Sequence, residues 1–392
     1  MPGRHFLFIP GPTNVPDRVL RAMHRAMEDH RSSAFPALPR SIFPDLKKVF
    51  GSTAGQAFIF PATGSAMWEA SLVNSLSPGD RVLACRNGQF SHLFIGYAQR
   101  LGLEVDVIDV EWGDAVPADQ IRTKLAADTA HEYKAVLVVH NETSTGVTSD
   151  LAAVRKAMDD AKHPALLHVD GVSSVGSLDF RFDEWKVDFA IASTQKGFMM
   201  PAGLGLLCVS KKGLAMADQA KCPRAFFDVR DQAKHNADGY FPYTPALAHL
   251  FGLREALDML LEEGLDKVAS RHGRLGEGVR RAIAAWGLKL CARDPKSFSN
   301  TLSAVVLPDG ADAKRVIDIA FRRYDLSLGA GLGRLGGKVF RIGHVGDLNE
   351  LMLLGALSGV EMALNDAGIP VALGSGVAAA QSWYRESAPP LG

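Results

Sequence analysis

The chain has 392 residues, 47% of them hydrophobic, enough apolar material to bury a large core and to divide into two domains. Its 43 basic and 43 acidic residues balance, which argues against the one-signed field that nucleic acid or an anionic membrane surface would require. Cys85, Cys208, Cys222 and Cys291 lie far apart without a Cys-x-x-Cys pair, and the 12 histidines form no His-x-x-x-His pair, so neither a metal site nor a disulfide framework is expected. Residues 1–5 lack the charged-then-apolar run of a signal peptide, no apolar stretch reaches membrane-spanning length, and residues 389–392 are not a peroxisomal tripeptide. A soluble, cytoplasmic protein is expected.

Residues 6–14 read as a short extended arm stopped by Pro10 and Pro12. Apolar positions at Val19, Leu20, Met23 and Met27 recur at helical spacing over 17–27. A polar loop follows at 30–33, and residues 44–50 begin another helix. From residue 57 the pattern alternates. Expected strands at 57–60, 81–85, 104–109, 135–140, 165–169, 189–193 and 204–209 are separated by helices, among them 65–76 and 91–101. Such alternation gives an α/β fold with a mostly parallel sheet, helices on both faces, and ligands at the carboxyl ends of the strands. Helices over 247–261 and 264–286 lead out of this domain. Strands at 303–307 and 339–343, a helix at 313–324 and a last helix at 349–365 then make a smaller α+β unit. The expected organisation is an arm over 1–18, a large domain over 19–260 and a small domain over 261–392, without internal repeats.

Chemistry concentrates at the strand ends. The stretch Asp188-Phe-Ala-Ile-Ala-Ser-Thr-Gln-Lys-Gly197 reads as a buried strand ending in small hydroxyl residues and a single cation. Desolvation at the rim of a core lowers a lysine's pKa, so Lys196 is either a usable nucleophile or a surface lysine whose stem snorkels. Leu166-Leu-His-Val-Asp170 ends in an acid one strand–connection–strand unit earlier. An acid and a lysine at one rim suit a pyridoxal phosphate enzyme, the lysine forming the Schiff base and the acid keeping the ring nitrogen protonated. The alternative is that Asp170 caps its own turn. Thr63, Gly64 and Ser65, between a strand and a helix, would present N–H groups and hydroxyls to a phosphate, or serve as an ordinary helix cap. Phe90 either stacks on a flat ring or packs in the core. The polar loop at 140–147 is a source of hydrogen bonds to a ring hydroxyl. Arg341 lies inside an apolar strand and requires an anionic partner, either a substrate carboxylate or a structural acid. Gly331-Leu-Gly-Arg-Leu-Gly336 matches a dinucleotide fingerprint by letter, but it leads into a strand rather than a helix, so it reads as a loop.

Taken in order, Phe8-Ile-Pro-Gly-Pro-Thr-Asn14, Thr63-Gly-Ser65, His140-Asn-Glu-Thr-Ser-Thr-Gly146, Val169-Asp-Gly-Val-Ser-Ser174, Ser193-Thr-Gln-Lys196 and Phe340-Arg-Ile-Gly343 resemble the class V aminotransferases. Those are fold-type I pyridoxal phosphate enzymes with a large domain and a smaller C-terminal α+β domain. Phe241-Pro-Tyr-Thr-Pro245, Tyr324-Asp-Leu-Ser-Leu-Gly329 and Gly374-Ser-Gly-Val-Ala-Ala-Ala380 extend the likeness over nearly the whole chain. It is closest to the branch that moves the amino group of serine to glyoxylate. The resemblance implies pyridoxal 5'-phosphate as cofactor, Lys196 as the Schiff-base lysine and Asp170 as the ring-nitrogen acid. It places the phosphate on Thr63, Gly64, Ser65 and Gln195, the ring faces on Phe90 and Val172, and the ring hydroxyl on Thr143. Arg341, Arg31 and Gly11 fall at substrate-binding positions. Members are homodimers with shared sites, which gives Tyr243 and Thr244 a phosphate role across the interface and Arg31 a place near the partner's substrate; a tetramer is the alternative. The implied partners are small amino and 2-oxo acids, with neither nucleic acid nor membrane. Alanine as the main amino donor stays open. Cysteine desulfurases of the family carry a histidine before the lysine and a cysteine on a mobile loop. Here Gln195 precedes Lys196, and Cys291 lies at an expected strand end. A silent regulator on the same fold is the remaining alternative, against which Lys196, Asp170 and Arg341 together argue.

Overall fold

A computed structural model describes residues 3–388; Met1, Pro2 and residues 389–392, where the C-terminal tripeptide falls, lie outside it. The chain begins with β1 (Phe6–Phe8), α1 (Asp17–Met23) and α2 (Ala37–Val49). Alternation then sets in with β2 (Gln56–Phe60), α3 (Gly64–Val73), β3 (Arg81–Arg86), α4 (Gln89–Arg100), β4 (Glu104–Asp109), α5 (Ala118–Ala127) and β5 (Tyr133–Val139). A short ladder of β6 (Asn141–Glu142) and β7 (Val147–Thr148) precedes α6 (Leu151–Asp160), β8 (Leu166–Asp170), β9 (Phe189–Ser193) and β10 (Gly205–Val209). Four helices follow: α7 (Lys211–Ala217), α8 (Val229–Asn236), α9 (Leu247–Glu263) and α10 (Leu265–Ala285). The remainder is β11 (Lys289–Leu290), β12 (Leu302–Val306), α11 (Ala313–Tyr324), β13 (Leu326–Ala330), β14 (Val339–Gly343), α12 (Glu350–Asp366) and α13 (Ser375–Glu386).

The large sheet has seven strands in the order β2-β10-β9-β8-β5-β3-β4. Only β10 runs against its neighbours, so the expected mostly parallel sheet is present. All residues of β8, β9 and β10 are buried, because helices cover both faces. Strand parity divides those residues between two cores. Val136, Val138, Leu167, Val169, Ala190 and Ala192 pack with α2, α6 and α9, whereas Ala135, Leu137, Leu166, Phe189 and Ile191 pack with α3 and α4. Asp170 has the parity of Leu166 and therefore turns toward α3.

A second sheet runs β1-β13-β14-β12-β11, with β1 parallel to β13 and the other pairs antiparallel. The extended arm thus supplies an edge strand to this sheet. Phe8, Phe340 and Ile342 join the core beneath α10 to α13, and Arg341, of opposite parity, faces the other way. Among the described residues no helix is long and apolar enough to cross a membrane.

Several local expectations are corrected. The helix from Asp17 ends at Met23, and Met27 is 65% exposed. The next helix begins at Ala37 rather than 44. Pro39 occupies the first turn, where no N–H is needed, and the buried stripe Ile42, Leu46 and Val49 outweighs the ~3 kcal/mol cost of the internal Pro44. The helix at 350–366 is not the last. In α13 the buried positions Gly376, Ala380 and Tyr384 recur every four residues, a stripe too small-sided to register as apolar periodicity. The stretch at 140–147 carries the β6–β7 ladder, and every residue in it is buried. The Gly331–Gly336 segment connects β13 to β14 through a single helical turn, as its rejection as a nucleotide motif requires.

Candidate active site

Five parallel strands deliver their carboxyl ends to one edge. Thr63 follows β2, Phe90 follows β3, Thr143 follows β5, Asp170 closes β8 and Lys196 follows β9. These residues, with Gly11, Gly64, Ser65, Trp68, Val172, Ser173 and Gln195, line a cavity of about 210 Å³.

Lys196 is 8% exposed, so the snorkelling alternative fails. Its Nζ donates to the Pro10 carbonyl, which the β1–α1 segment carries across the strand ends. A side chain at Gly11 would overlap the lysine, and the φ of +98° there also favours glycine. Burial pulls the amine's pKa down to about 8, and the Arg341 charge acts in the same direction, against Asp170.

Asp170 is buried and accepts the Val172 N–H at 2.9 Å and the Trp68 indole N–H at 2.9 Å. Burial raises its pKa to about 6 in spite of these donors. Trp68 escaped the sequence reading although it lies in the stretch that follows β2. The available signal was its place one turn into α3, since a buried indole needs an acceptor for its N–H.

The turn before α3 has the donor chemistry of an anion site. Thr63 is the N-cap without a side-chain cap bond, and the N–H groups of Gly64 and Ser65 have no acceptor among the described residues. Gly64 lets the helix close on Val172, which a Cβ would strike. Gln195 accepts from the Ser193 hydroxyl at the same rim. Thr143 donates its hydroxyl to Ser173 at 2.8 Å, and Asn141 bonds that same serine and Thr301 of the second unit at 2.9 Å. The cavity is thus lined by free N–H donors, a buried acid and a buried amine, a donor set that suits an anionic, planar, aldehyde-bearing group.

Arg341 does not line this cavity, but it reaches its wall. Its Nη1 donates to the Thr143 carbonyl at 2.8 Å and its Nε to Ala330 at 2.9 Å. Gly329, paired with Arg341 across β13 and β14, leaves room for the side chain. The expected anionic partner is absent: among the described residues Arg341 forms no ion pair, and Nη2 donates to none of them. Burial lowers its pKa to about 10, countered only by the charge of Glu142. A buried guanidinium with an unused edge suits a carboxylate from outside the chain.

Three predicted site residues stand apart. Tyr243 is 41% exposed and stacks on Phe226 at 5.1 Å, and Thr244 is exposed beside it. Arg31 is exposed, with its backbone N–H bonded to Asp29. None of them lines the Lys196 cavity. Cys291 is buried and its thiol is pushed up to about 11, so it is no exposed thiolate. Among the described residues no cluster of His, Cys, Asp and Glu is arranged to hold a metal.

A model of the class-V aminotransferases matches residues 5–319. A serine–glyoxylate aminotransferase of Methylorubrum extorquens is 59% identical over 391 residues, which is 98% of this chain and 97% of the relative. An L-aspartate–glyoxylate aminotransferase of Paracoccus denitrificans is 49% identical over 387 residues, covering 99% of this chain and 98% of the relative. The crystal structure of the Bacillus subtilis ureidoglycine–glyoxylate aminotransferase superposes with a TM-score of 0.90 at 27% identity, over 98% of this chain and 99% of that one. Likeness on this scale spans both sheets and not merely the lysine-bearing turn, and on that ground the chain belongs to the class-V aminotransferase family of fold-type I, pyridoxal 5'-phosphate enzymes.

Proposed function

We propose that the chain transfers the amino group of L-serine to glyoxylate, giving hydroxypyruvate and glycine. The observation that carries this reading is the 59% full-length identity to a serine–glyoxylate aminotransferase, on a chain whose buried Lys196 and Asp170 line one cavity. Pyridoxal phosphate supplies an aldehyde that takes up an amino group and a ring that spreads the charge left at Cα. Lys196 would hold it through Nζ, Asp170 would face its ring nitrogen, and Thr63, Gly64, Ser65 and Gln195 would take its phosphate. Phe90 and Val172 would cover the ring faces, with Thr143 at the ring hydroxyl.

The protein's own work is proton handling and positioning. An amine with a pKa of about 8 is in part unprotonated near neutral pH, so Lys196 is suited to remove the α-proton of serine and to return one to the product. Arg341 would grip the substrate carboxylate and stand the Cα–H near Nζ, with Gly11 giving the close approach. Arg341→Ala is expected to raise KM for serine and for glyoxylate by about 10- to 100-fold, the worth of a charge-assisted pair. An unchanged KM in steady-state kinetics places the carboxylate elsewhere.

The family's shared-site dimer accounts for the three residues that stand apart. Tyr243 and Thr244 would reach the phosphate of a second copy, and Arg31 its substrate. Mixing Lys196→Ala protein with Tyr243→Ala/Thr244→Ala protein should then regain about a quarter of wild-type activity, since half the dimers are hybrids with one intact site of two. No recovery after subunit exchange would place all these residues in one subunit's site. Free, buried cysteines support a reducing cytosol as the setting.

The deciding experiment incubates the cofactor-loaded protein with serine and glyoxylate and measures hydroxypyruvate and glycine. Faster formation of oxaloacetate from aspartate would move the donor to the Paracoccus activity, and pyruvate from alanine to the third donor. Formation of none of these overturns the reading. Sulfide release from cysteine is not expected, because Gln195 precedes the lysine and the Cys291 thiol is buried.

A further inference from the structure

Glu142 is fully buried, yet it forms no ion pair among the described residues. Its carboxylate accepts instead the N–H of Phe90 at 3.3 Å, the N–H of Ser91 at 2.9 Å, and both the N–H and the hydroxyl of Ser144, at 3.1 and 2.6 Å. Ser144 Oγ in turn accepts the Gln89 N–H at 2.9 Å. The first three N–H groups of α4, from Gln89, Phe90 and Ser91, are thus all satisfied by the loop after β5. An anion at the positive end of a helix is stabilised there without a cation. Gly88 makes the approach possible, because a Cβ at that position would overlap the Glu142 side chain.

What this cap orients is specific. Phe90 occupies the first turn of α4 and lines the Lys196 cavity, so the direction in which α4 starts decides where the ring lies. Thr143, between Glu142 and Ser144, gives its hydroxyl to Ser173 and its carbonyl to Arg341. We propose that Glu142 is a positioning residue whose carboxylate, by capping α4 from the neighbouring loop, holds Phe90 against the cofactor cavity. The inference rests on the reading that this cavity takes pyridoxal phosphate and that Phe90 packs on its ring.

Glutamine at 142 keeps the shape but turns one acceptor into a donor facing the N–H groups of α4, which it cannot satisfy. The test titrates wild-type apo-protein, Glu142→Gln, Phe90→Ala and the double variant with pyridoxal 5'-phosphate, followed by visible circular dichroism. Glu142→Gln is expected to weaken binding about tenfold and to diminish the visible band, on the scale of one lost aromatic contact. Because the residue acts through Phe90, the double variant should bind no worse than Phe90→Ala alone. Losses that add, or an unchanged Glu142→Gln, overturn the proposal. Should Glu142→Gln not fold, Ser144→Ala removes only the Gln89 acceptor and one donor to Glu142. It should show a smaller loss that also vanishes beside Phe90→Ala, and wild-type binding by Ser144→Ala would overturn the proposal too. A wild-type protein without a visible band would sink the cofactor reading itself, and this inference with it.

Discussion

Lys196→Ala is expected to lower the rate of transamination by about 10⁴-fold or more, because in the function we propose it removes both the covalent anchor and the proton carrier from the site. The fold should survive: among the described residues the side chain's one hydrogen bond is to the Pro10 carbonyl, and a buried amine is costly to keep charged. Borohydride reduction followed by mass spectrometry checks the assignment. Wild-type protein should carry the reduced cofactor on the peptide containing Lys196, and the variant should carry none; a reducible adduct persisting in Lys196→Ala would disprove the anchor. The depressed pKa gives a second readout in apo-protein. The amine is protonated and unreactive below its pKa and neutral above it, so acylation of Lys196 should rise to half its maximum near pH 8 rather than near 10.5. Arg341→Ala should shift that midpoint upward, since the guanidinium charge is among the causes of the depression.

Asp170→Asn should cost about 10³-fold in kcat/KM, because a neutral amide cannot stabilise a proton on a ring nitrogen. Apo-protein stability should depend on pH through the same residue. The raised pKa of about 6 means that the folded chain holds a proton more tightly than the unfolded one. Above pH 6 the ionised, buried carboxylate therefore destabilises the fold, by about 3 kcal/mol for a shift of two pKa units. That penalty fades as pH falls from 6 toward 4. Asp170→Asn removes that charge but turns one acceptor toward the Val172 or Trp68 N–H into a donor, so what should be seen is the slope: relative to wild type, the variant apo-protein should gain stability as pH rises from 4 to 8. A difference in melting temperature that does not change between pH 4 and pH 8 would show that Asp170 carries no raised pKa in the folded chain. Stability given up for function at a buried acid is a common trade.

Much of this was legible in the chain because it is local. The βα alternation from residue 57 onward rests on apolar runs of strand length separated by helical spacing, and the parallel sheet follows from it. Lys196 and Asp170 declared themselves as polar residues closing apolar runs, one unit apart, and the parallel connection brings such ends to one edge. The letters of Gly331–Gly336 were rightly set aside, since a fingerprint needs a strand before it and a helix after it. Less legible were α2, where prolines masked a helix held by its buried stripe, and α13, whose Gly and Ala stripe shows no contrast until Tyr384 is seen to donate to the Leu275 carbonyl of α10.

By itself, then, the sequence determined the strand–helix alternation of the large sheet, the edge at which its strands end and the residue types that end there, because propensity, periodicity and connection length act over a few residues. Which face each end presents was decided by tertiary structure. Strand parity turned Asp170 to α3 and the Trp68 indole, and turned Arg341 away from its own core toward the Thr143 carbonyl. The Pro10 carbonyl met Lys196 because β1 pairs with β13 of the second sheet. Glu142 looked like one more polar loop residue until folding buried it against the start of α4. Desolvation gives these groups their chemistry, and it arises only when segments far apart in the chain exclude water together.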